Sequence, residues 1–238
     1  MVGVSTFLGV LVPSSYATLT YQSSLVSNGG AAVDATAAIT ISGSTMTVTL
    51  TDLQANPGSV ASVLNGIIIN VSGVTGVLGL TADNAMTADI ASNGSYTPTM
   101  ILGTEIAGST GWSVSGSSSI TLSALGSGQP QFLIIGPDYN HNFTQGAGNP
   151  GYTGSNSSID GNDPHNPFIL GQETCYFSLS GAGYSESTIQ GVTFLFGTGT
   201  DCSDVIPVPE PSTIVAGALL LLPLGVSAFR ILRKERAV

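Results

Sequence analysis

Reactive residue types are few in this chain and crowd into one stretch. The only histidines, His141 and His165, fall between Gly136 and Pro167, together with Asp138, Asp160 and Asp163. A histidine oriented by an aspartate can take a proton from a serine nucleophile, and serines abound. None of them sits in a G-x-S-x-G elbow: Gly183-Tyr184-Ser185-Glu186-Ser187 lacks the last glycine. H-E-x-x-H and paired Cys/His zinc spacings are absent as well. A different chemistry fits Asp160-Gly161-Asn162-Asp163. Carboxylate and amide oxygens on a Gly-containing turn can hold a hard cation, so Asp160, Asn162 and Asp163 are candidate Ca²⁺ ligands. The same spacing also builds a turn whose Asx side chains bond their own backbone. Beyond that Ca²⁺, no cofactor is expected. Tyr139, Phe143, Tyr152 and Phe168 lie in or beside the stretch. Aromatic rings can stack on sugars while Asn and Asp bond hydroxyls, or they can pin the stretch to the body beneath it.

Charge narrows the function further. Lys and Arg are absent from Met1 to Phe229, and Arg230, Arg233, Lys234 and Arg236 crowd the last nine positions. The formal net charge is −10; of the fourteen carboxylates, all but Glu210 and Glu235 lie between 18 and 208, which leaves twelve there and no cation. Nucleic-acid binding is excluded for this body, because phosphate neutralisation needs Lys or Arg. P-loop and Schiff-base lysines and arginine phosphate clamps are excluded with it. Ion pairs with Lys or Arg are unavailable, so stability must come from apolar burial and backbone hydrogen bonds. Self-repulsion should keep copies apart at low salt.

The elements that position these residues read as strands. Ser, Thr, Gly and Val dominate, a composition that disfavours helices. Ile39 and Ile41 share one face, and beyond Ser42-Gly43-Ser44 the residues Met46, Val48 and Leu50 do the same, which predicts a hairpin. Ile67 to Val71 reads as a strand buried on both sides. Trp112 and Val114, Ile120 and Leu122, Phe132 to Ile135, Cys175, Phe177 and Leu179, and Val192, Phe194 and Phe196 mark further strands. About ten short strands at this spacing predict an antiparallel β-sandwich, jelly-roll topology included. A short helix is expected over Ser59 to Asn65, and residues 136–167 as a long loop at one end. Cys175 and Cys202, the only cysteines, are expected to pair if the chain is exported; two buried free thiols are the alternative. Asn70-Val71-Ser72, Asn93-Gly94-Ser95, Asn142-Phe143-Thr144 and Asn156-Ser157-Ser158 fit the N-x-S/T pattern.

Both ends read as addresses. Val2 to Val12 is mostly apolar, and Ser15 and Ala17 supply the small residues a signal peptidase needs, which predicts a signal peptide over 1–17. No positive residue precedes the run, so the start lies upstream or the signal departs from the usual pattern. Thr213 to Leu232 is long and apolar enough to predict a C-terminal transmembrane helix. The basic cluster after it would stay on the cytoplasmic side and place the body outside.

Val208-Pro209-Glu210-Pro211, the apolar stretch and then Arg230, Arg233, Lys234 and Arg236 resemble the PEP-CTERM sorting signal of Gram-negative bacteria, a tail also labelled an ice-binding protein C-terminal domain. The resemblance covers residues 209–238 and implies recognition near the Pro-Glu-Pro motif by exosortase, a membrane protease. Ile189 to Thr198 and His165 to Ile169 also resemble the closing segments of exported PEP-CTERM proteins. The family occurs with exopolysaccharide production. The expectation is therefore a non-enzymatic surface or biofilm-matrix protein: exported, anchored in the inner membrane by its C-terminal helix, cut by exosortase, and placed at the cell surface or beyond it among exopolysaccharide. A carbohydrate- or ligand-binding module using 136–167 is the alternative, and a secreted hydrolase the third.

Overall fold

The computed structural model describes residues 18–23, 26–27, 29–72, 79–82, 85–101, 111–125, 130–138, 151–171, 175–180, 184–199, 201–205 and 207–208. Alternation of apolar and polar residues has its expected result in the first half. Strands β1 (Thr18–Gln22), β2 (Ala35–Ser42) and β3 (Thr45–Asp52) form a meander. Every second residue of β2 and β3 is buried, and the strands pair with Ile39 opposite Val48. Their two-residue connection places Gly43 at φ +60, a conformation glycine reaches without steric cost.

The remaining strands are β4 (Leu64–Val71), β5 (Gly79–Ala82), β6 (Ala85–Ala88), β7 (Thr99–Ile101), β8 (Ser113–Ser115) and β9 (Ser119–Ser123). Then follow β10 (Ile134–Ile135), β11 (Phe168–Leu170), β12 (Cys175–Ser180), β13 (Ile189–Phe196), β14 (Asp201–Val205) and β15 (Pro207–Val208). Among the described residues, one sheet has the order β15-β1-β2-β3-β12-β5. The other runs β14-β13-β4-β10-β11-β6-β7, with β9 on β4 and β8 on β9. Inward residues of both sheets meet in one hydrophobic core, with Ile39, Val48 and Leu50 from one and Ile67, Ile120 and Phe194 from the other. Trp112 is buried there, and its indole N–H donates to the Phe132 carbonyl at 2.8 Å.

The expected fold class needs correction. The fold is mainly β, but among the described residues no helix is long and apolar enough to cross a membrane. The helical turns described are Val60–Ser62 and Glu186–Thr188, three residues each, where a spanning helix takes about 20. Residues 213–232, where the transmembrane helix was expected, lie outside the described residues, and the structure gives no support to inner-membrane anchoring through it. The sheets are not wholly antiparallel either, because β10 and β11 pair in parallel. Residues 136–167 connect these two strands, and a parallel pair needs such a long crossover. Six- and nine-strand orders also differ from the two four-strand sheets of a jelly roll.

Two local expectations change as well. The helix over Ser59 to Asn65 shrinks to the turn Val60–Ser62, whose Ser59 makes no side-chain cap, and Leu64 and Asn65 already belong to β4. A helix this short cannot repay its nucleation. The Cys175–Cys202 disulfide is not supported. Cys175 lies in β12 opposite Leu50 in the six-stranded sheet, and Cys202 in β14 opposite Leu195 in the other. Cys202 thus belongs to a sheet strand.

Candidate functional site

Residues 151–167 are built into the molecule instead of standing off it. Tyr152 and Ile159 are fully buried, and Phe168 just after them is too. Tyr152 and Phe168 therefore pin the segment, one of the two roles the sequence left open. Tyr139, His141 and Phe143 lie outside the described residues. His165 is buried, with its Nδ1 2.9 Å from the Pro130 carbonyl.

The three candidate Ca²⁺ ligands share one turn. The Asp160 N–H donates to the Asn156 carbonyl, and the Asn162 side-chain amide donates to the Ser158 carbonyl at 3.3 Å. The Ser158 N–H in turn donates to the Asn156 side chain at 2.9 Å. Asp163 is exposed, and Asp160 is part-buried with one carboxylate oxygen that has no partner. Burial raises the Asp160 pKa. This internal bonding is that of a self-bonded turn. Among the described residues no three His, Cys, Asp or Glu side chains gather as a metal site.

A buried polar cluster lies beside this segment. Asp52 ends β3 on the parity of Met46, Val48 and Leu50, and so faces inward. Its carboxylate accepts the N–H groups of Gln54 at 2.9 Å and Leu64 at 3.2 Å, and that of Gly136. Burial pushes its pKa well above the ordinary carboxylate value, against the pull of those three donors. The Tyr152 hydroxyl donates to the Gly136 carbonyl at 2.9 Å, and the Tyr96 hydroxyl to buried Asp138 at 3.1 Å. The two rings lie 5.3 Å apart, tilted by 46°. Burial raises both phenols, and Asp138 raises them further.

Above this cluster the hairpin 89–98 walls a cleft of about 480 Å³. The connection Ser92-Asn93-Gly94 places Gly94 at φ +75, with its N–H donating to the Ala91 carbonyl. A Cβ on Gly94 would stand 2.9 Å from the Tyr152 backbone, so only glycine fits there. The Tyr152 N–H donates to the Gly94 carbonyl, and the Asn166 side chain bonds both the N–H and the carbonyl of Ile90. The hairpin is thus fastened at its tip and its base. Asp89, Thr97 and Thr99 are exposed on the cleft, and Ala88, Ala91 and Pro167 supply apolar patches. Sequence reasoning missed this site. Its one local signal was Asn93-Gly94, a strong hairpin dipeptide that also lies inside an N-x-S/T triplet.

The sorting residues divide at the boundary of the description. Val208 lies in β15, paired with Thr20 of β1. Pro209, Glu210, Pro211 and the basic residues Arg230, Arg233, Lys234 and Arg236 lie outside the described residues. No family model matches the chain, and neither a curated protein nor a solved structure does so.

Proposed function

We propose that the chain is a non-enzymatic protein of the cell surface or extracellular matrix, exported, processed by exosortase and associated with exopolysaccharide. The observation that carries this reading is the segregation of charge. Cations are absent through residue 229 and gather behind Val208-Pro209-Glu210-Pro211, in the order of the sorting signal that the tail resembles. His165 supports a structural role, since its ring is buried and bonded to a backbone carbonyl.

Expression of the whole chain in an exosortase-bearing, polysaccharide-producing Gram-negative host tests the reading. Mass spectrometry of the extracellular fraction should find a form shortened near Pro209 to Pro211. Glu210→Ala should block that shortening. Retention of the uncut chain in the cytoplasm would overturn the proposal.

A further inference from the structure

We propose that the cleft walled by residues 89–98 binds a neutral saccharide. This inference rests on the matrix reading for its biological setting and on the cleft alone for its chemistry. A volume of about 480 Å³ lies within the usual range of small-ligand sites.

Its lining defines what can enter. Asp89, Ser95, Thr97 and Thr99 offer polar side chains, and none of them has a side-chain partner among the described residues. The Thr87 hydroxyl is committed to the Thr99 carbonyl and the Tyr96 hydroxyl to Asp138, so neither is counted. Among the described residues, Asp89 is the only charged side chain of the lining. A carboxylate can accept two hydroxyls of one sugar in charge-assisted hydrogen bonds. Threonine hydroxyls can both donate and accept, which suits a ligand whose groups do the same. Ala88, Ala91 and Pro167 present small apolar surfaces fit for the C–H face of a pyranose.

The lining also rejects alternatives. Phosphate, sulfate and uronate groups would meet Asp89 with no cation to offset it, in a body that carries none. Large flat apolar ligands would find no open ring, because Tyr96 is only 3 % exposed. The fastened hairpin holds its polar groups in place before binding, which lowers the ordering cost of a weak, open site.

Titration of the purified full-length chain with neutral di- to tetrasaccharides of glucose, galactose, mannose and N-acetylglucosamine, followed by calorimetry and NMR shifts, tests the inference. At least one should bind. Asp89→Ala should weaken that binding by about tenfold or more, and Thr97→Val by less, both with thermal unfolding unchanged because the residues are exposed. Absence of binding across the neutral panel would overturn the proposal, as would binding that both variants leave intact. Preference for uronate oligosaccharides or for free divalent cations would overturn it too. Because the assay needs neither export nor processing, its failure leaves the matrix reading standing, and failed processing leaves the cleft standing.

Discussion

In the β2–β3 hairpin the inward side chains are Ala35, Ala37, Ile39, Met46, Val48 and Leu50, each fully buried and none with a hydrogen-bonding group to satisfy. One step further along the same face, Asp52 opens a buried cluster that continues through Gly136, Tyr152, Tyr96 and Asp138. The inward side chains of the first region act through buried area alone, so their contribution is non-directional and spread over many contacts. The second is held by a few aimed hydrogen bonds around groups that are costly to bury. Without Lys or Arg anywhere in the body, the buried carboxylates rely on backbone N–H groups, phenols or protonation.

The largest effect should come from the apolar side of this comparison. Leu50→Ala removes a fully buried side chain and leaves a cavity, which typically costs about 2–5 kcal/mol. Urea denaturation of the purified chain should show the midpoint fall with little change in slope. A loss below about 1 kcal/mol would mean that the two sheets do not close on one core. Tyr152→Phe should cost less, about 1–3 kcal/mol, because it keeps the ring and leaves the Gly136 carbonyl without its donor. A neutral outcome by the same measurement would show that the cluster is no more directional than the hairpin.

The two regions were not equally legible in the sequence. Period-two alternation from Ile39 to Leu50 contains both strands, their pairing and their buried face. Carried one residue pair further, the same alternation puts Asp52 inside, so half of the polar cluster's anchor was readable too. The parallel pairing of β10 and β11 was not. Leu133 to Ile135 and Phe168 to Leu170 are short, wholly buried apolar runs. Such runs announce burial but carry no alternation that could set a partner or a direction. The cleft was hidden for another reason. Asp89, Thr97 and Thr99 are exposed polar residues around a turn, and that composition is the same whether they face bulk water or a concave wall. Their convergence depends on Asn166 and Tyr152, distant in sequence, fastening Ile90 and Gly94.

The subtlest expected effect is a slope against pH, and it runs against the usual behaviour of carboxylates. Burial raises the folded-state pKa of Asp52 above its ordinary value of 3.8. Between that value and the raised one, the folded state keeps a proton that the unfolded chain has released. The stability from this group is therefore complete below about pH 4 and declines as pH rises through the folded pKa, by at most about 1.4 kcal/mol per pH unit. Relief of self-repulsion in a chain of net charge −10 has the same sign, so the wild-type slope alone cannot assign the effect. Asp52→Asn separates the two contributions. It removes the buried titration and should flatten the decline of unfolding free energy above pH 4, even though the amide satisfies the three N–H donors less well and lowers stability overall. Asp163→Asn removes the same formal charge from an exposed site and should leave most of the slope in place. If both substitutions flatten it equally, the decline belongs to the surface field, and the three backbone donors hold Asp52 ionised after all.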